Sequence, residues 1–231
     1  MTQQSRDCYI IVAAGTGSRF GSQLPKQFCE LAGRPLLMTT IDNIRSADPQ
    51  AAIVLVLSQA MMEPWSEMCR EAGFDTTGII IAAGGASRAE SVKNALASVP
   101  DECDGWISVH DGARPVVTEE LISRITEGRR EGVQGVIPAV AVTDSLRLVE
   151  AGGRSHVVDR SIYRAVQTPQ SFPAALLREA YRRAVGEGFT DDASVMEAAG
   201  FSNFVLVEGD PRNIKVTHPA DLDIATLYLG K

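Results

Sequence analysis

Short apolar runs alternate with longer amphipathic stretches along most of the chain. The first run, Cys8 to Ala14, does not alternate with polar residues and predicts a strand buried on both faces. Further strands are predicted at Ala52 to Leu57, Ile79 to Ala82, Trp106 to His110, Val136 to Ala141, Phe204 to Glu208 and Ile214 to Thr217.

Helices are predicted between these strands. They span about Leu36 to Ser46, Met61 to Ala72, Arg88 to Val99, a stretch after Thr118, Pro173 to Glu187, Thr190 to Ala199, and Pro219 or Asp221 to Leu229. The expected N-caps are Ser87, Thr118 and Thr190, the last aided by Asp191 and Asp192. Strands that alternate with helices predict a three-layer α/β fold with a mostly parallel sheet and ligands at the carboxyl ends of the strands.

Residues from about Val142 to Thr168 break this alternation. Two short polar-apolar stretches flank Glu150-Ala-Gly-Gly-Arg154, which predicts a β-hairpin with a loose glycine turn. An isolated hairpin is marginal in water and must pack on something. It could fold back on its own domain, but we favour an arm that embraces a second subunit. The chain is then one domain, 1–231, with a dimerisation arm at about 142–168.

A glycine-rich loop follows the first strand. Gly15, Gly17 and Gly21 allow backbone N–H groups to approach a ligand closely, and Arg19 and Lys26 add two cations. A strand that ends in such a loop is typical of a phosphate site. The alternative is a simple strand-to-helix turn.

Two well-known phosphate loops are excluded by position. A Walker A loop and a dinucleotide fingerprint both require glycine where Phe20 stands, and the Walker lysine would fall at Gly21. The loop instead has the pattern Ala-Ala-Gly-x-Gly-x-Arg followed by Pro-Lys, which resembles that of nucleotidyltransferases acting on small phosphorylated alcohols.

Composition narrows the partners. The 231 residues are 45% hydrophobic and 22% charged with a net charge of −7, which fits a globular protein and argues against a nucleic-acid partner. Lysine is rare beside arginine, so Lys26 and Lys215 indicate a need for a compact point charge.

The spacing of the cysteines and histidines predicts neither a zinc site nor a disulfide framework. The sequence shows no secretion signal or apolar run of membrane-spanning length, so we expect a cytoplasmic protein without a membrane partner.

Several short blocks stand at the ends of the predicted elements. They are Ala13-Ala-Gly-Thr-Gly-Ser-Arg19, Pro25-Lys26-Gln27, Gly84-Gly85 with Arg88 and Ser91, His110-Asp-Gly-Ala-Arg-Pro115, Thr168-Pro-Gln170, Thr190-Asp191 and Asn213-Ile-Lys-Val-Thr217. Together, and in this order over nearly the whole chain, they resemble the 2-C-methyl-D-erythritol 4-phosphate cytidylyltransferase family of the non-mevalonate isoprenoid pathway.

The resemblance implies a Rossmann-like nucleotidyltransferase fold, a homodimer joined by the arm, and an enzyme that transfers CMP from CTP to 2-C-methyl-D-erythritol 4-phosphate with release of pyrophosphate. It implies Mg²⁺ bound mainly through the CTP phosphates. The implied catalytic residues are Arg19, Lys26 and Lys215. The implied nucleotide-binding residues are Ala13, Ala14, Gly15, Gly17, Gly85, Arg88 and Ser91. The implied substrate-binding residues are Asp111, Arg114, Ser145, Arg160, Thr168 and Thr190.

Some assignments stay open. Asp111 could contact either the metal or the polyol. The family commonly has threonine where Ser145 stands, and serine keeps the hydroxyl, so we expect little loss. The family often has aspartate where Ala86 stands, which leaves the nucleobase preference open. Lys215, flanked by apolar residues of a predicted strand, faces either solvent or a cleft. His110 and His156 are expected to be structural.

The implied roles also have simpler alternatives. These are a solvated loop cation for Arg19, a turn cap for Asp111, a side chain lying along its helix for Arg88, and a helix cap for Thr190. The alternative functions are a cytidylyltransferase for another polyol phosphate, such as ribitol 5-phosphate, and a non-catalytic nucleotide-binding regulatory module. A regulatory module would not need Arg19, Lys26 and Lys215 together. A nucleotide-sugar glycosyltransferase would require an Asp-x-Asp motif, which His110-Asp-Gly does not supply.

Overall fold

The computed structural model describes residues 6–15, 20, 24–184 and 188–230. The strands are β1 (Cys8–Val12), β2 (Glu30–Leu31), β3 (Arg34–Pro35), β4 (Ala52–Leu57), β5 (Ile79–Ala83), β6 (Trp106–Asp111), β7 (Gly135–Ala141), β8 (Arg147–Val149), β9 (Ser155–Val157), β10 (Arg164–Val166), β11 (Gln170–Pro173) and β12 (Phe204–Glu208). The helices are α1 (Leu36–Ala47), α2 (Met62–Glu71), α3 (Arg88–Leu96), α4 (Glu119–Glu127), α5 (Ala174–Arg183), α6 (Asp192–Ala198) and α7 (Ala220–Leu229). Short 3₁₀ turns cover Lys26–Phe28, Gln59–Met61 and Arg160–Ile162.

The main sheet is mostly parallel, as predicted. Strand β1 lies between β4 and β6 and is parallel to both, and β5 extends the sheet beyond β4. On the other side of β6 come β11 and then β7, both reached by antiparallel pairing, and β12 runs parallel to β7. The carboxyl ends of β1, β4, β5 and β6 therefore meet at one edge of the sheet.

Helices cover both faces of this sheet, which confirms the three-layer prediction. Alternate residues of a strand point to opposite faces. Ile10 of β1 therefore belongs to a core shared with α3 and α5. Its neighbour Ile11 belongs to a second core shared with α1, α2 and α4. The helices match this arrangement because each buries one stripe: in α4, Leu121, Ile122 and Ile125 are buried.

Strands β10 and β11 lie along the same side of β7 as one interrupted strand, which the sequence pattern did not predict. Val166 of β10 pairs with Ala139, whereas Ser171 of β11 pairs with Val136. The chain thus advances by five residues on one strand and by three on its neighbour, so two extra residues, 168 and 169, leave the ladder as a bulge. Gln167 N still donates to Pro138 O of β7 at 2.7 Å. The bulge contains the cis peptide bond between Thr168 and Pro169. Strand β11 is short and lacks alternation, so its sequence gives little signal.

Two further predictions were wrong. Ile214 to Thr217 is not a strand; this segment follows a turn and makes a backbone hydrogen bond from Val216 N to Ala113 O at 2.9 Å. Thr190 does not cap its helix. Asp191 takes that place: its carboxylate accepts from Ser194 N at 2.9 Å, and the two residues form a capping box.

The other two predicted caps are confirmed. The hydroxyl oxygen of Ser87 accepts from Glu90 N, and that of Thr118 accepts from Leu121 N. The helix predicted from Pro173 to Glu187 is observed from Ala174 to Arg183, and 185–187 lie outside the described residues.

The predicted hairpin is confirmed. Strands β8 and β9 pair antiparallel, and the turn between them contains Gly152 and Gly153 at φ values of +86° and +81°, which L side chains rarely adopt. All residues of both strands are exposed. Only the returning segment β10 joins the main sheet. Within the described part of the chain, none of the helices has the length and apolar character needed to cross a membrane.

Candidate functional site

A cleft of about 410 Å³ opens at the carboxyl ends of β1, β5 and β6. Its lining comprises Val12, Ala13, Ala14, Gly15, Lys26, Gln27, Gly85, Ala86, Ser87, Arg88, Ser91, Asp111, Ala113, Lys215 and Thr217. Most of the predicted nucleotide-binding residues and both predicted catalytic lysines therefore share one cavity. Gly17, Arg19 and Gly21 lie outside the described residues.

A buried amide holds the glycine-rich loop at the end of β1. Gln27 is 3% exposed, and its Nε2 donates to Ala13 O at 2.6 Å and to Gly15 O at 2.9 Å. Gln27 sits in the 3₁₀ turn that begins with Lys26, so its side chain links the carbonyls of Ala13 and Gly15 to the turn that carries this lysine. This role of Gln27 was not predicted from the sequence; its available signal was an amide beside the lysine of the Pro25-Lys26-Gln27 block.

The second wall of the cleft approaches the first through a glycine. Gly84 N donates to Leu57 O at 2.8 Å, and a Cβ built on Gly84 would lie 2.3 Å from the Cβ of Ala14. No side chain fits in that space. The glycine therefore permits the ends of β1 and β5 to stand close enough to form one cleft.

Residues 85–87, which precede α3, are held by hydrogen bonds to side chains of that helix. Ser91 Oγ accepts from Gly85 N at 3.0 Å and donates to Ser87 O at 2.8 Å. Ala86 N donates to the Glu90 carboxylate at 2.8 Å. The Ser91 hydroxyl thus orients the Gly85 backbone that lines the cleft.

One carboxylate in the cleft faces three cations. Lys215 Nζ lies 2.8 Å from Asp111 Oδ2, Arg88 Nε lies 3.4 Å from Oδ1, and Arg114 Nε lies 3.6 Å from Oδ2. Asp111 is 8% exposed. Burial by itself would raise the pKa of Asp111, but Arg88, Lys215 and Arg114 together lower that pKa below its ordinary range. Asp111 is therefore ionised at neutral pH. Lys215 lines the cleft beside it, which decides between the two orientations left open by the sequence.

Arg88 bridges two carboxylates and does not lie along its helix. Its Nη2 is 2.7 Å from Oδ2 of Asp192, which is completely buried. Tyr181 donates its hydroxyl proton to Asp192 Oδ1 at 2.6 Å. Burial would lower the pKa of Arg88, yet the charges of Asp192 and Asp111 raise it above its ordinary value. Arg88 is permanently charged and fixed at both ends of its guanidinium.

A chain of hydrogen bonds supports Asp111 from behind. Asp111 N donates to Thr168 Oγ1 at 3.0 Å, Thr168 Oγ1 lies 3.1 Å from His110 Nδ1, and His110 Nε2 lies 3.1 Å from Arg114 O. A carbonyl only accepts, so Nε2 carries the proton and Nδ1 accepts from the threonine hydroxyl. Burial lowers the pKa of His110 to about 4, which agrees with this neutral form and with the structural role expected of it.

The remaining predicted substrate-binding residues do not line the cleft. Arg114 lies behind Asp111, where its Nη1 donates to Asn213 O at 2.7 Å. Ser145 and Arg160 are exposed on the arm, and the Arg160 guanidinium donates to Thr143 O. Thr190 is exposed just before α6. Their roles toward a substrate stay predictions.

Few ligands for a metal are available. Among the described residues there is no group of three or more His, Cys, Asp or Glu side chains that could hold an ion. Asp111 already faces three cations, which disfavours a direct bond to a further positive ion.

The comparisons with known proteins agree on one family. A model of the 2-C-methyl-D-erythritol 4-phosphate cytidylyltransferase family matches residues 8–231. A relative of that name from Bacteroides fragilis is 45% identical over 223 residues, 95% of this chain and 98% of the relative. The structure of 4-diphosphocytidyl-2C-methyl-D-erythritol synthase from Anaerococcus prevotii matches with a TM-score of 0.82 at 25% identity, covering 98% of this chain and 99% of that one. The cytidylyltransferase structure from Thermus thermophilus matches with a TM-score of 0.75 at 30% identity, covering 96% and 98%.

His110 predicts a pH-dependent stability. The pKa of His110 is near 6.5 in the unfolded chain and about 4 in the folded chain. Between these pH values His110 is protonated in the unfolded chain but not in the folded one. The free energy of unfolding should therefore fall by about 3 kcal/mol as the pH is lowered from about 6.5 to about 4. Urea unfolding at a series of pH values measures this. His110→Asn should flatten that part of the curve, whereas the control His156→Asn should not; equal slopes in both variants would contradict the assignment.

Proposed function

The chain belongs to the 2-C-methyl-D-erythritol 4-phosphate cytidylyltransferase family, and we propose that its cleft transfers CMP from CTP to 2-C-methyl-D-erythritol 4-phosphate by positioning and charge stabilisation, without a general base. An oxygen of the acceptor phosphate attacks the α-phosphorus of CTP and forms a new P–O bond. The bond between the α-phosphorus and the bridging oxygen breaks, and pyrophosphate leaves with the electron pair.

The observation that carries this mechanism is the state of Asp111. Among the described residues that line the cleft, it is the only carboxylate. Its three cationic neighbours lower its pKa, which makes it a poor base. The reaction does not require a base, because a phosphate monoester has a second pKa near 6 and is largely a dianion at neutral pH. The obstacle is the repulsion between two anions and the charge that develops on the α-phosphate.

Cations overcome that obstacle. Lys26 and Lys215 line the same cleft, and Lys215 has a side chain that is 41% exposed and so has room to move from Asp111 to a phosphate oxygen. Together with Arg19, they would stabilise the charge of the transition state. Mg²⁺ held by the CTP phosphates, with no direct bond to Asp111, would neutralise further negative charge when bound.

The binding roles follow the two walls of the cleft. The backbone of Ala13, Ala14, Gly15 and Gly17 would contact the base and phosphates, and Gly85, oriented by Ser91, would read cytosine. Ala86 offers no polar side chain, so base selection would rest on backbone groups. Arg88 would act at the boundary between nucleotide and acceptor.

The acceptor would lie against Asp111, which accepts hydrogen bonds from its hydroxyl groups. Arg114 and Thr168 support Asp111 from behind, and Thr190 would contact the acceptor phosphate. The buried thiols of Cys8, Cys69 and Cys103 suit a reducing compartment, and we place the reaction in the cytoplasm.

The arm would complete the site of a second subunit. It exposes Leu148, Val149, Val157 and Ile162 by 53%, 69%, 70% and 76%. A hairpin with such apolar exposure gains stability when another surface covers it. Exchange of the arms across a two-fold axis would cover these side chains and would bring Ser145 and Arg160 to the partner's cleft.

The substrate assignment predicts the result of a pyrophosphate-release assay. CTP with 2-C-methyl-D-erythritol 4-phosphate should give the highest rate, and chelation of Mg²⁺ should abolish it because the phosphates lose their neutralising ion. UTP, ATP and GTP test the nucleobase, and ribitol 5-phosphate tests the acceptor. Equal or faster turnover of ribitol 5-phosphate would contradict the assignment, and the absence of turnover with every acceptor would favour a regulatory module.

The two lysines should act on the transition state. Lys215→Ala and Lys26→Ala should each lower kcat by about a hundredfold or more with a smaller change in KM. Lys93→Ala, an exposed lysine on α3, is the matched control and should leave both constants unchanged. Lys26→Arg should not fully restore kcat, because a planar guanidinium does not reproduce a point charge. An effect confined to KM would mean that the lysines bind only the ground state.

Exchange of the arms predicts complementation between two inactive variants. Lys26→Ala and Arg160→Ala should each be nearly inactive as homodimers. If Arg160 reaches the partner's cleft, a mixed dimer has one doubly altered site and one intact site. Refolding equal amounts together makes about half of the dimers mixed and should restore roughly a quarter of normal activity. The assay compares this mixture with each variant refolded alone, after sizing confirms mixed dimers; no recovery in verified mixed dimers would overturn the shared site.

A further inference from the structure

Two carboxylates share the Arg88 guanidinium, and only one of them lines the cleft. Arg88 is 2.7 Å from Asp192 but 3.4 Å from Asp111, so its closer contact is with the residue outside the cleft. Asp192 is completely buried, and apart from Arg88 its carboxylate accepts a hydrogen bond from Tyr181. From the sequence, the position of Asp192 in the first turn of α6 predicted only a favourable interaction with the helix dipole. That interaction does not explain why the charge is buried.

The fold fixes Asp192 with the same short segment that fixes Asp111. The buried Gln170 accepts through Oε1 from Asp192 N at 3.2 Å and from Ala193 N at 3.0 Å, and its Nε2 donates to Asp191 Oδ2 at 2.8 Å. Two residues earlier, Thr168 accepts from Asp111 N. The interrupted strand thus attaches the backbones of both carboxylates, one on each side of Arg88.

The shared guanidinium affects what Asp111 can bind. A carboxylate has about four positions at which it can accept hydrogen bonds. Lys215 and Arg88 already lie within hydrogen-bonding distance of the Asp111 oxygens, at 2.8 and 3.4 Å, and Arg114 lies 3.6 Å away. If Asp192 lost its charge, Arg88 would keep only Asp111 as an anionic partner, and the 3.4 Å contact would tighten. Hydroxyl groups of a ligand would then compete less well for the same oxygens.

We propose that Asp192 is a positioning residue of the acceptor pocket. Asp192 holds Arg88 away from Asp111, so that Asp111 can still accept hydrogen bonds from the hydroxyl groups of 2-C-methyl-D-erythritol 4-phosphate. This inference rests on the proposed role of Asp111. It differs from a purely structural role of a buried ion pair, which would change stability without selecting one substrate.

Steady-state kinetics with each substrate varied in turn test the proposal. Asp192→Asn keeps the shape but removes the charge, and it should raise the acceptor KM roughly tenfold, as expected of a residue that acts through another, while the KM for CTP stays within about twofold. Tyr181→Phe is the matched control, because it removes a hydrogen bond to Asp192 and leaves the contact with Arg88. It should leave the acceptor KM within about twofold of the unaltered protein, whatever its melting temperature.

A double variant tests the route through Arg88 and remains useful if Asp192→Asn fails to fold. Arg88→Met with Asp192→Asn removes both members of the buried pair, a change that proteins often tolerate better than the loss of one. Arg88→Met alone is the reference for this variant, because Arg88 lines the cleft and its loss removes a binding group by itself. Because no guanidinium is left to occupy Asp111, adding Asp192→Asn to Arg88→Met should change the acceptor KM by less than about threefold. A further tenfold rise on adding Asp192→Asn would mean that Asp192 does not act through Arg88, which would overturn the proposal.

Asp111→Asn separates this inference from the function on which it rests. An unchanged acceptor KM in Asp111→Asn would remove the proposed role of Asp111 itself. A raised acceptor KM in Asp111→Asn, together with an unchanged one in Asp192→Asn, would overturn only the role of Asp192. Equal rises in both KM values in Asp192→Asn would indicate general damage and would also overturn it.

Discussion

The cleft depends on the negative charge of Asp111. Three cations from separate parts of the chain converge on this one buried carboxylate: Arg88 from the start of α3, Arg114 after β6, and Lys215 from the segment before α7. Without it, like charges would face each other at low dielectric, and the segments that carry them would be driven apart. Asp111 therefore holds the cations in place before any phosphate arrives. Arg88 and Arg114 are thus oriented in advance, and in the proposed mechanism only Lys215 exchanges its contact with Asp111 for a phosphate oxygen, so little reorganisation is needed during the reaction.

The bulge in the strand beside β7 supplies the rigidity that such a charge cluster requires. At and beside the bulge, polar groups that the ladder does not use bond to neighbouring segments. Gln167 exchanges two hydrogen bonds with the backbone of Asp210, at 2.8 and 3.1 Å, and Asn213 Nδ2 donates to Thr168 O at 2.8 Å. The segment that leads to Lys215 is thereby attached to the same bulge as Asp111. The arm returns to the sheet through β10, immediately before this bulge, which places the proposed dimer contact and the charge cluster on adjoining stretches of chain.

The sequence predicted what depends on local pattern. The apolar runs located most strands of the main sheet, Ser87 and Thr118 were recognised as caps, and the glycine-rich blocks located the cleft. What it did not predict depends on distant partners. The contact between Arg88 and Asp192 joins residues 104 positions apart, and no periodicity signals it. Thr190 and Asp191 are adjacent candidates for one cap, and the choice follows from the reciprocal hydrogen bonds with Ser194. Gln27 has no distinguishing signal in the sequence, because its partners, the carbonyls of Ala13 and Gly15, lie 14 and 12 positions away.

The close approach of Gly84 to Ala14 also limits which substitutions this cleft can accept. A Cβ at position 84 would lie 2.3 Å from the Cβ of Ala14, so the space between the two positions can hold only one methyl group. A descendant that gains a side chain at position 84 must give one up at position 14, or separate the walls of its cleft. A side chain that is acceptable at either of these positions, 70 residues apart in sequence, therefore depends on the side chain at the other.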